Sequence, residues 1–351
     1  MKIPIALPYL GEEEVENAGK TILSGWVTQG PRVAEFEENF SSYMGSKYAV
    51  AVSNCTTALH LSMIVSGICK GDEVICPSMS FIATANSIQY VGAKPVFAEV
   101  NTDYNLDIED VRTKISSKTK AVLLVHQVGM PADIDGFRQL CDEHNLILIE
   151  DAACATGSEY KGQRIGSHSD LVCFSFHPRK VITTGDGGMI TTSREDLYER
   201  LKRLRQHSMS VNDQVRHQSD KIIFEDYLEL GYNYRMTDIQ AAIGIEQLKK
   251  LDWIISERRK IAKTYINAFK NINCIDLPIE SPDVCSNYQS FSILIKENSP
   301  ICRNDLMQKL TDEGISTRRG IMTAHRQTAY SYRNEKLPIS EALSDNSLLI
   351  P

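Results

Sequence analysis

The sequence predicts an α/β fold, with a mostly parallel central sheet flanked by helices and a smaller α+β domain after it. From about residue 53 to 192, short apolar runs rich in β-branched residues alternate with stretches of helical spacing. These runs are apolar throughout, which is typical of strands buried on both faces. Beyond about residue 271 the chain becomes β-rich. We therefore expect a large domain over residues 1–245 and a small domain over residues 246–351.

The elements of the large domain follow in order. Each predicted strand is a short apolar run, and the helices between them carry apolar residues at helical spacing. We expect strands at 48–53, 73–76, 95–100, 121–126 and 146–150, and helices at 56–66, 80–90 and 134–144. Ligands of such sheets gather at the carboxyl ends of the strands.

The second half of the chain changes character. A helix is expected over 196–207, followed by a polar, exposed loop over 208–219. Thr237 and Asp238 are suitable N-cap residues for a long amphipathic helix that starts at 237–249 and continues into 263–269. A β-rich segment at 288–295 and a helix at 303–313 complete the small domain.

Composition excludes several classes of protein. Apolar content of 42%, charged content of 24% and a net charge of -7 are typical of a globular protein without a nucleic-acid partner. No signal peptide opens the chain and no apolar run approaches the length of a membrane span, so we expect a cytoplasmic protein without a membrane partner. None of the nine cysteines forms a C-x-x-C pair, and no metal site is expected.

Lys180 is the most informative residue. It ends the run Phe174-Ser-Phe-His-Pro-Arg-Lys180, just before the turn-rich segment 183–188. Burying an ammonium group without a partner costs several kcal/mol. Condensation with an aldehyde removes the charge, so Lys180 is a candidate Schiff-base lysine. The alternative is a surface lysine in a loop.

Four further features support one cofactor, pyridoxal 5'-phosphate. Small and hydroxylic residues around Thr56 and Thr57 open a helix after a strand, an arrangement that suits phosphate. Asp151 ends a strand and could pair with a protonated ring nitrogen. Phe81 could stack on the ring, and the hydroxyl of Ser175 could reach the same phosphate. Taken singly, these residues could equally be an N-cap, a loop aspartate, a core phenylalanine and a packed serine.

Longer motifs extend this pattern over nearly the whole chain. With them the sequence resembles the DegT/StrS group of sugar aminotransferases, which have the type I fold of pyridoxal-phosphate-dependent transferases. The segments that carry the resemblance are 8–14, 24–31, 90–97, 150–153, 157–162, 173–180, 185–188 and 231–236.

The resemblance implies a role for each matching residue. Lys180 would be the Schiff-base lysine and proton shuttle, and Asp151 the partner of the pyridinium nitrogen. A homodimer with shared active sites is implied, because one residue would reach the phosphate bound by the neighbouring subunit. The remaining implied positions are Phe81 for stacking, Thr56, Thr57 and Ser175 for phosphate, Asn233 for the neighbouring subunit's phosphate, and Trp26, His177 and His325 for substrate.

Three departures from the family pattern stand out. Cys154 occupies the position beside the cofactor's phenolic oxygen where many members have glutamine or histidine. Cys55 replaces a common glycine in the phosphate turn. The chain ends at 348–351, where relatives usually continue into a last helix, so we expect either that this helix is lacking or that it lies beyond residue 351.

The function that the resemblance implies is transfer of an amino group from L-glutamate to a keto carbon, C4 in our interpretation, of a nucleotide-linked 4-keto-6-deoxysugar, in biosynthesis of amino sugars for polysaccharides or glycoconjugates. A C3-keto sugar or an inosose is an alternative acceptor. A dehydratase relative would carry histidine at the lysine position, and an inactive regulatory or scaffold protein is a further alternative. Arg318, Arg319 and the loop 208–219 either select the acceptor or are solvated.

Overall fold

The computed structural model describes residues 2–211, 222, 224–331 and 334–351. Of the predicted polar loop, residues 212–219 lie outside the described residues. The helices are α1 (Glu12–Leu23), α2 (Pro31–Met44), α3 (Cys55–Val65), α4 (Ile82–Tyr90), α5 (Ile108–Lys114), α6 (Ile134–His144), α7 (Glu195–Leu204), α8 (Asp238–Phe269), α9 (Arg303–Asp312) and α10 (Pro338–Asn346). The strands are β1 (Tyr48–Val52), β2 (Glu73–Pro77), β3 (Lys94–Ala98), β4 (Thr119–Val125), β5 (Ile147–Asp151), β6 (Glu159–Tyr160), β7 (Gln163–Arg164), β8 (Leu171–Ser175), β9 (Gly188–Thr192), β10 (Ile275–Asp276), β11 (Val284–Cys285), β12 (Phe291–Ile295), β13 (Arg318–Arg319) and β14 (Ser347–Ile350).

The central sheet has seven strands in the order β1-β9-β8-β5-β4-β2-β3. The pairs β2–β3, β2–β4, β4–β5 and β5–β8 are parallel, whereas β9 runs antiparallel to both of its neighbours. The predicted mostly parallel sheet is therefore confirmed. Because only β9 is reversed, its first residue lies at the edge of the sheet where the other strands end.

Helices cover both faces of this sheet. In β4, Val122 and Leu124 belong to one core cluster and Ala121 and Leu123 to the other. The first cluster packs against α2, α6 and α8, and the second against α3, α4 and α7. Since side chains alternate along a strand, both faces are apolar, which explains why the strands read as continuous apolar runs.

Two smaller antiparallel sheets follow. One has the order β10-β12-β14-β13 and the other β11-β6-β7, so the latter joins residues from both halves of the chain. The helix predicted at 237–249 and 263–269 is one continuous helix, α8, which begins at the predicted N-cap Thr237. The domain boundary at residue 245 stays a prediction, and α8 runs across it. No helix in the described ranges has the length and apolarity that crossing a membrane requires.

Candidate active site

The carboxyl edge of the central sheet brings the candidate residues together. β1, β2, β5 and β8 end there, and β9 begins there. Alternation along the strands sends Asp151 to the face covered by α3, because its neighbour Ile149 packs in that cluster. Ser175 follows Cys173 to the same face. A ligand at this edge would therefore meet residues from several strands at once.

Lys180 lies in the loop between β8 and β9. Its Nζ donates a hydrogen bond to Cys154 Sγ at 3.2 Å, and the side chain is half-buried. Burial lowers the pKa of the Lys180 amine, but the neighbouring Cys154, Cys55 and Asp151 together raise it above its usual value. The amine is thus held beside two thiols and a carboxylate rather than in solvent.

Asp151 is buried at the end of β5. Thr84 Oγ1 donates to Asp151 Oδ2 at 3.1 Å, the Ala153 N–H donates to Oδ1 at 3.1 Å, and the Cys55 thiol lies 4.0 Å from Oδ1. Burial raises the pKa of Asp151, and the bonds from Ala153 and Thr84 and the charge of Lys180 only partly oppose this. The charged form of Asp151 is therefore incompletely stabilised, and a further cation beside it would stabilise it.

Sequence reasoning missed the hydrogen-bonded histidine and carboxylate on the opposite face of the sheet. His126 Nε2 and Glu150 Oε2 are 2.8 Å apart, and both side chains are fully buried. The Ala132 N–H donates to His126 Nδ1, so the proton of the neutral ring lies on Nε2 and points to Glu150. The main-chain N–H of His126 also donates to the main-chain carbonyl of Asp151. The only available signal was a histidine at the end of a predicted strand.

The start of α3 forms a cradle. Asn54 Oδ1 accepts the Thr57 N–H at 2.9 Å, and the Thr57 hydroxyl donates to the Asn54 carbonyl at 2.7 Å. A contact between the Thr57 side chain and phosphate therefore stays a prediction. The N–H groups of Cys55 and Thr56 lie in the first turn, where helices leave their donors available to anions.

Glycine and serine residues close this cradle. Gly188 and Ser175 face each other across β9 and β8. A Cβ on Gly188 would lie 2.5 Å from the Asn54 carbonyl, so only glycine allows this close approach. The Ser175 hydroxyl accepts the His177 N–H at 3.4 Å. Small groups and backbone donors here fit a phosphate.

Phe81 precedes α4 at the carboxyl edge. Its side chain is 63% exposed although it is large and apolar. Ser80, beside it, is buried and its hydroxyl lies 2.8 Å from that of Thr84, which binds Asp151. Phe81 thus exposes a ring next to Ser80, which bonds through Thr84 to the buried Asp151. An exposed aromatic ring in this position suits a flat ligand.

The predicted substrate residues lie in different settings. Trp26 Nε1 donates to the Gln29 carbonyl at 3.2 Å, and His177 Nδ1 accepts the Arg179 N–H. His325 is buried, with Nδ1 bonded to Ser78 and Nε2 3.0 Å from Glu341. Since both ring nitrogens have partners, a substrate contact by His325 stays a prediction.

Two further predicted groups lie at the surface. Asn233 is exposed, and its Oδ1 accepts a bond from Arg235 Nε at 3.3 Å. Its predicted reach to a neighbouring subunit remains untested. Arg318 and Arg319 form β13, pair with β14 and are exposed.

The donor set fits pyridoxal 5'-phosphate. A primary amine, a buried acid, an exposed aromatic ring and a cradle of helix N–H groups lie at one edge of the sheet. These are the groups that an aldehyde, a pyridine nitrogen, a flat ring and a phosphate require. Within the described ranges, no group of three or more histidine, cysteine or acidic side chains could hold a metal ion.

Comparison with known proteins identifies the relatives of this chain. The profile of the DegT/DnrJ/EryC1/StrS aminotransferase family matches residues 8–351. The GDP-perosamine synthase of Escherichia coli O157:H7 is 38% identical over 352 residues, covering 99% of this chain and 93% of that protein.

Solved structures agree with this match. A Streptococcus pneumoniae protein assigned as a sugar aminotransferase, Spr1654, superposes with a TM-score of 0.94 in its PMP form at 28% identity, covering 99% of this chain and 94% of the other. Its PLP form gives a TM-score of 0.93, with 100% and 93% coverage. Helicobacter pylori PseC, an aminotransferase of pseudoaminic acid biosynthesis, has a TM-score of 0.93 at 27% identity, with 100% and 94% coverage.

Proposed function

Because this chain belongs to the DegT/DnrJ/EryC1/StrS aminotransferase family and is a pyridoxal-phosphate-dependent aminotransferase, we propose that it moves an amino group from L-glutamate to the C4 keto carbon of a nucleotide-linked 4-keto-6-deoxysugar. The observation that carries the proposal is the Lys180 amine, held 3.2 Å from Cys154 and near enough to Asp151 for the two charges to interact. The relatives that make GDP-perosamine or act in pseudoaminic acid biosynthesis support an amino-sugar product.

The residues of this chain divide the work. When bound, pyridoxal phosphate supplies an aldehyde for the lysine and a ring that accepts electrons from the carbon bearing the amino group. Asp151 would keep the ring nitrogen protonated, Phe81 would cover one ring face, and Thr56 and Ser175 would hold the phosphate. Lys180 Nζ would take the α-proton from glutamate and, in the second half-reaction, deliver a proton to the former keto carbon.

By the resemblance, Cys154 stands where many members of the family have glutamine or histidine. A thiol is a weak hydrogen-bond donor compared with an amide or imidazole. We propose that Cys154 lies beside the cofactor's phenolic oxygen and binds it less strongly than glutamine would. Trp26, His177 and His325 remain proposed substrate residues.

The assembly and location are also proposed. Asn233 is exposed on the segment that leads into α8, where a second copy of the chain could receive it. We propose a homodimer with shared active sites, acting in the cytoplasm in the synthesis of amino sugars for surface polysaccharides or glycoconjugates. A spore coat polysaccharide protein among the relatives, 35% identical over 356 residues, supports this pathway class.

Two assays test the proposal. Glutamate alone should convert the cofactor's absorbance to that of its amino form and release 2-oxoglutarate. A panel of GDP-, UDP- and dTDP-linked 4-keto sugars should then give a C4 amino sugar, identified by NMR. A C3 amino product would correct the position of transfer, and turnover with an inosose alone would replace the acceptor class. No spectral change with glutamate would overturn the donor assignment.

Replacing the lysine tests the chemistry directly. Lys180→Ala should lower turnover at least about a thousandfold, because both the covalent attachment and the proton transfer are lost. Lys263→Ala, on an exposed turn of α8, is the matched control and should keep wild-type turnover. Substantial activity in Lys180→Ala would contradict the assigned role.

A further inference from the structure

A segment far along the chain hydrogen-bonds both the residue before Lys180 and the residue whose thiol Lys180 contacts. Residues 286–290 connect β11 to β12 and so link the sheet containing β6 to the sheet containing β14. Ser286, Asn287 and Tyr288 are buried, although they lie between strands rather than within one. We call these five residues the 286–290 segment.

Asn287 fixes the turn that carries Cys154. Its Nδ2 donates to the Cys154 and Thr156 carbonyls, both at 2.9 Å, and its main-chain N–H donates to Ser158 Oγ at 3.1 Å. Asn287 Oδ1 accepts the Gln289 N–H at 2.8 Å. Both amide hydrogens and the oxygen are therefore used, and the side chain has no exposed surface.

Gln289 binds the main chain next to Lys180. Its Nε2 donates to the Arg179 carbonyl at 2.9 Å, one residue before Lys180. One short segment thus binds the main chain next to the amine and the main chain of its thiol partner. The main chain that carries each partner of the 3.2 Å contact between Lys180 Nζ and Cys154 Sγ is thus hydrogen-bonded to the same third segment.

The segment is held in a costly conformation. Tyr288 has a φ of +46°, a left-handed backbone conformation that is unfavourable for a residue with a side chain. Arg258 donates to the Tyr288 and Gln289 carbonyls at 3.2 and 3.1 Å. A Cβ on Gly129 would lie 2.0 Å from Asn287 Oδ1, so the facing loop is shaped around this side chain. Such strain persists where the surroundings fix it, commonly at functional sites.

We infer that Asn287 and Gln289 are positioning residues that set Lys180 and Cys154 relative to the bound cofactor. Neither side chain acts on substrate in this proposal. They hold two carbonyl groups, and through them the amine that moves the proton. Displacing a reacting group by about 1 Å can cost about a hundredfold in rate.

The test removes one donor at a time. In Gln289→Glu and Asn287→Asp, a carboxylate of the same shape cannot donate to the carbonyls. We expect the rate constant of the glutamate half-reaction to fall roughly tenfold to a hundredfold, with the apparent affinity for glutamate changing much less. The pH midpoint of the bound cofactor's absorbance change should shift as well. Gln308→Glu, on the exposed surface of α9, is the matched control and should change neither quantity.

These readouts separate the alternatives. A lower melting temperature with unchanged rate and pH midpoint would show a purely structural role and overturn the inference. If Asn287→Asp does not fold, Gln289→Glu decides alone, because Gln289 lies nearer the surface. The inference rests on the proposed role of Lys180 but not on the sugar. The cofactor titration uses no acceptor, so a wrong acceptor leaves this result intact.

Discussion

Glu150 and Asp151 are consecutive buried carboxylates at the end of β5, and their pKa values move in opposite directions. Burial raises both pKa values, but the bond from His126 brings that of Glu150 below its usual range. Asp151 has a hydroxyl and an N–H as partners, and its pKa stays raised. Glu150 is therefore stabilised at its Oε2 by His126, whereas Asp151 would be stabilised by a further cation.

Asp151→Asn should stabilise the cofactor-free protein at neutral pH. Because the folded pKa of Asp151 is raised, the folded state binds more protons than the unfolded state between the two pKa values, and stability is lost as the pH rises through that interval. The variant lacks this loss. Its melting temperature should exceed that of the wild type by a few degrees at pH 7, and the difference should shrink toward pH 4.

The same substitution should abolish transamination, because an amide does not hold a ring nitrogen protonated. Exposed Asp305→Asn is the control and should leave both quantities unchanged. If Asp151→Asn and the wild type had equal melting temperatures at all pH values, the raised pKa of Asp151 would be contradicted.

At the scale of elements, the sequence predicted helix caps made within one segment but not contacts between helices that are distant in sequence. Thr237 caps α8, where the sequence predicts a start, because its hydroxyl accepts the Gln240 N–H. Asp238 does something that no local pattern shows: its carboxylate accepts the N–H groups of Gly30, Arg32 and Val33 at the start of α2. The helix α6 matches its predicted bounds, whereas α1 and α2 were not predicted, because their burial depends on packing against α8.

Asp238→Asn should destabilise the protein by roughly 1–3 kcal/mol. The new amide would place an NH₂ group against a backbone N–H, while the wild-type carboxylate accepts three such bonds from a buried position. Urea unfolding followed by circular dichroism would measure the change. Asp305→Asn, in the exposed first turn of α9, should shift stability by less than about 0.5 kcal/mol. If Asp238→Asn left the free energy of unfolding unchanged, water would have to replace the carboxylate as the acceptor for the three N–H groups.

At the scale of the whole molecule, the site combines residues that sequence could and could not identify. The sequence could place Lys180, Asp151 and Phe81 at one edge of the sheet, because each lies at or after the end of a strand and such ends meet there. Their roles at the site stay predictions. Asn287 and Gln289 carry no such signal, since they lie in the connection between strands of two other sheets. His325 was predicted to meet substrate, whereas its two nitrogens are bonded to Ser78 and Glu341.

Mixing two inactive variants tests the shared site. If Asn233 serves the partner's cofactor, a heterodimer of Lys180→Ala and Asn233→Ala chains has one intact site and one doubly defective site. Random assortment of equal amounts should restore about a quarter of wild-type activity. Activity is measured after the chains are unfolded together and refolded, with each variant refolded alone as the control. No recovery, or a fully active Asn233→Ala, would contradict a shared site.

The reversed strand β9 has a consequence for how the protein matures. It inserts between β1 and β8, so the sheet closes only when residues 188–192 return to a strand made of residues 48–52. Contacts this distant in sequence form late, because a long loop must close first. While β9 is still inside the ribosome, Gly188 cannot pack against Asn54. The loop that carries Lys180 is then not yet held at its β9 end. Binding of pyridoxal phosphate should therefore follow the pairing of β9 with β1 and β8 rather than precede it.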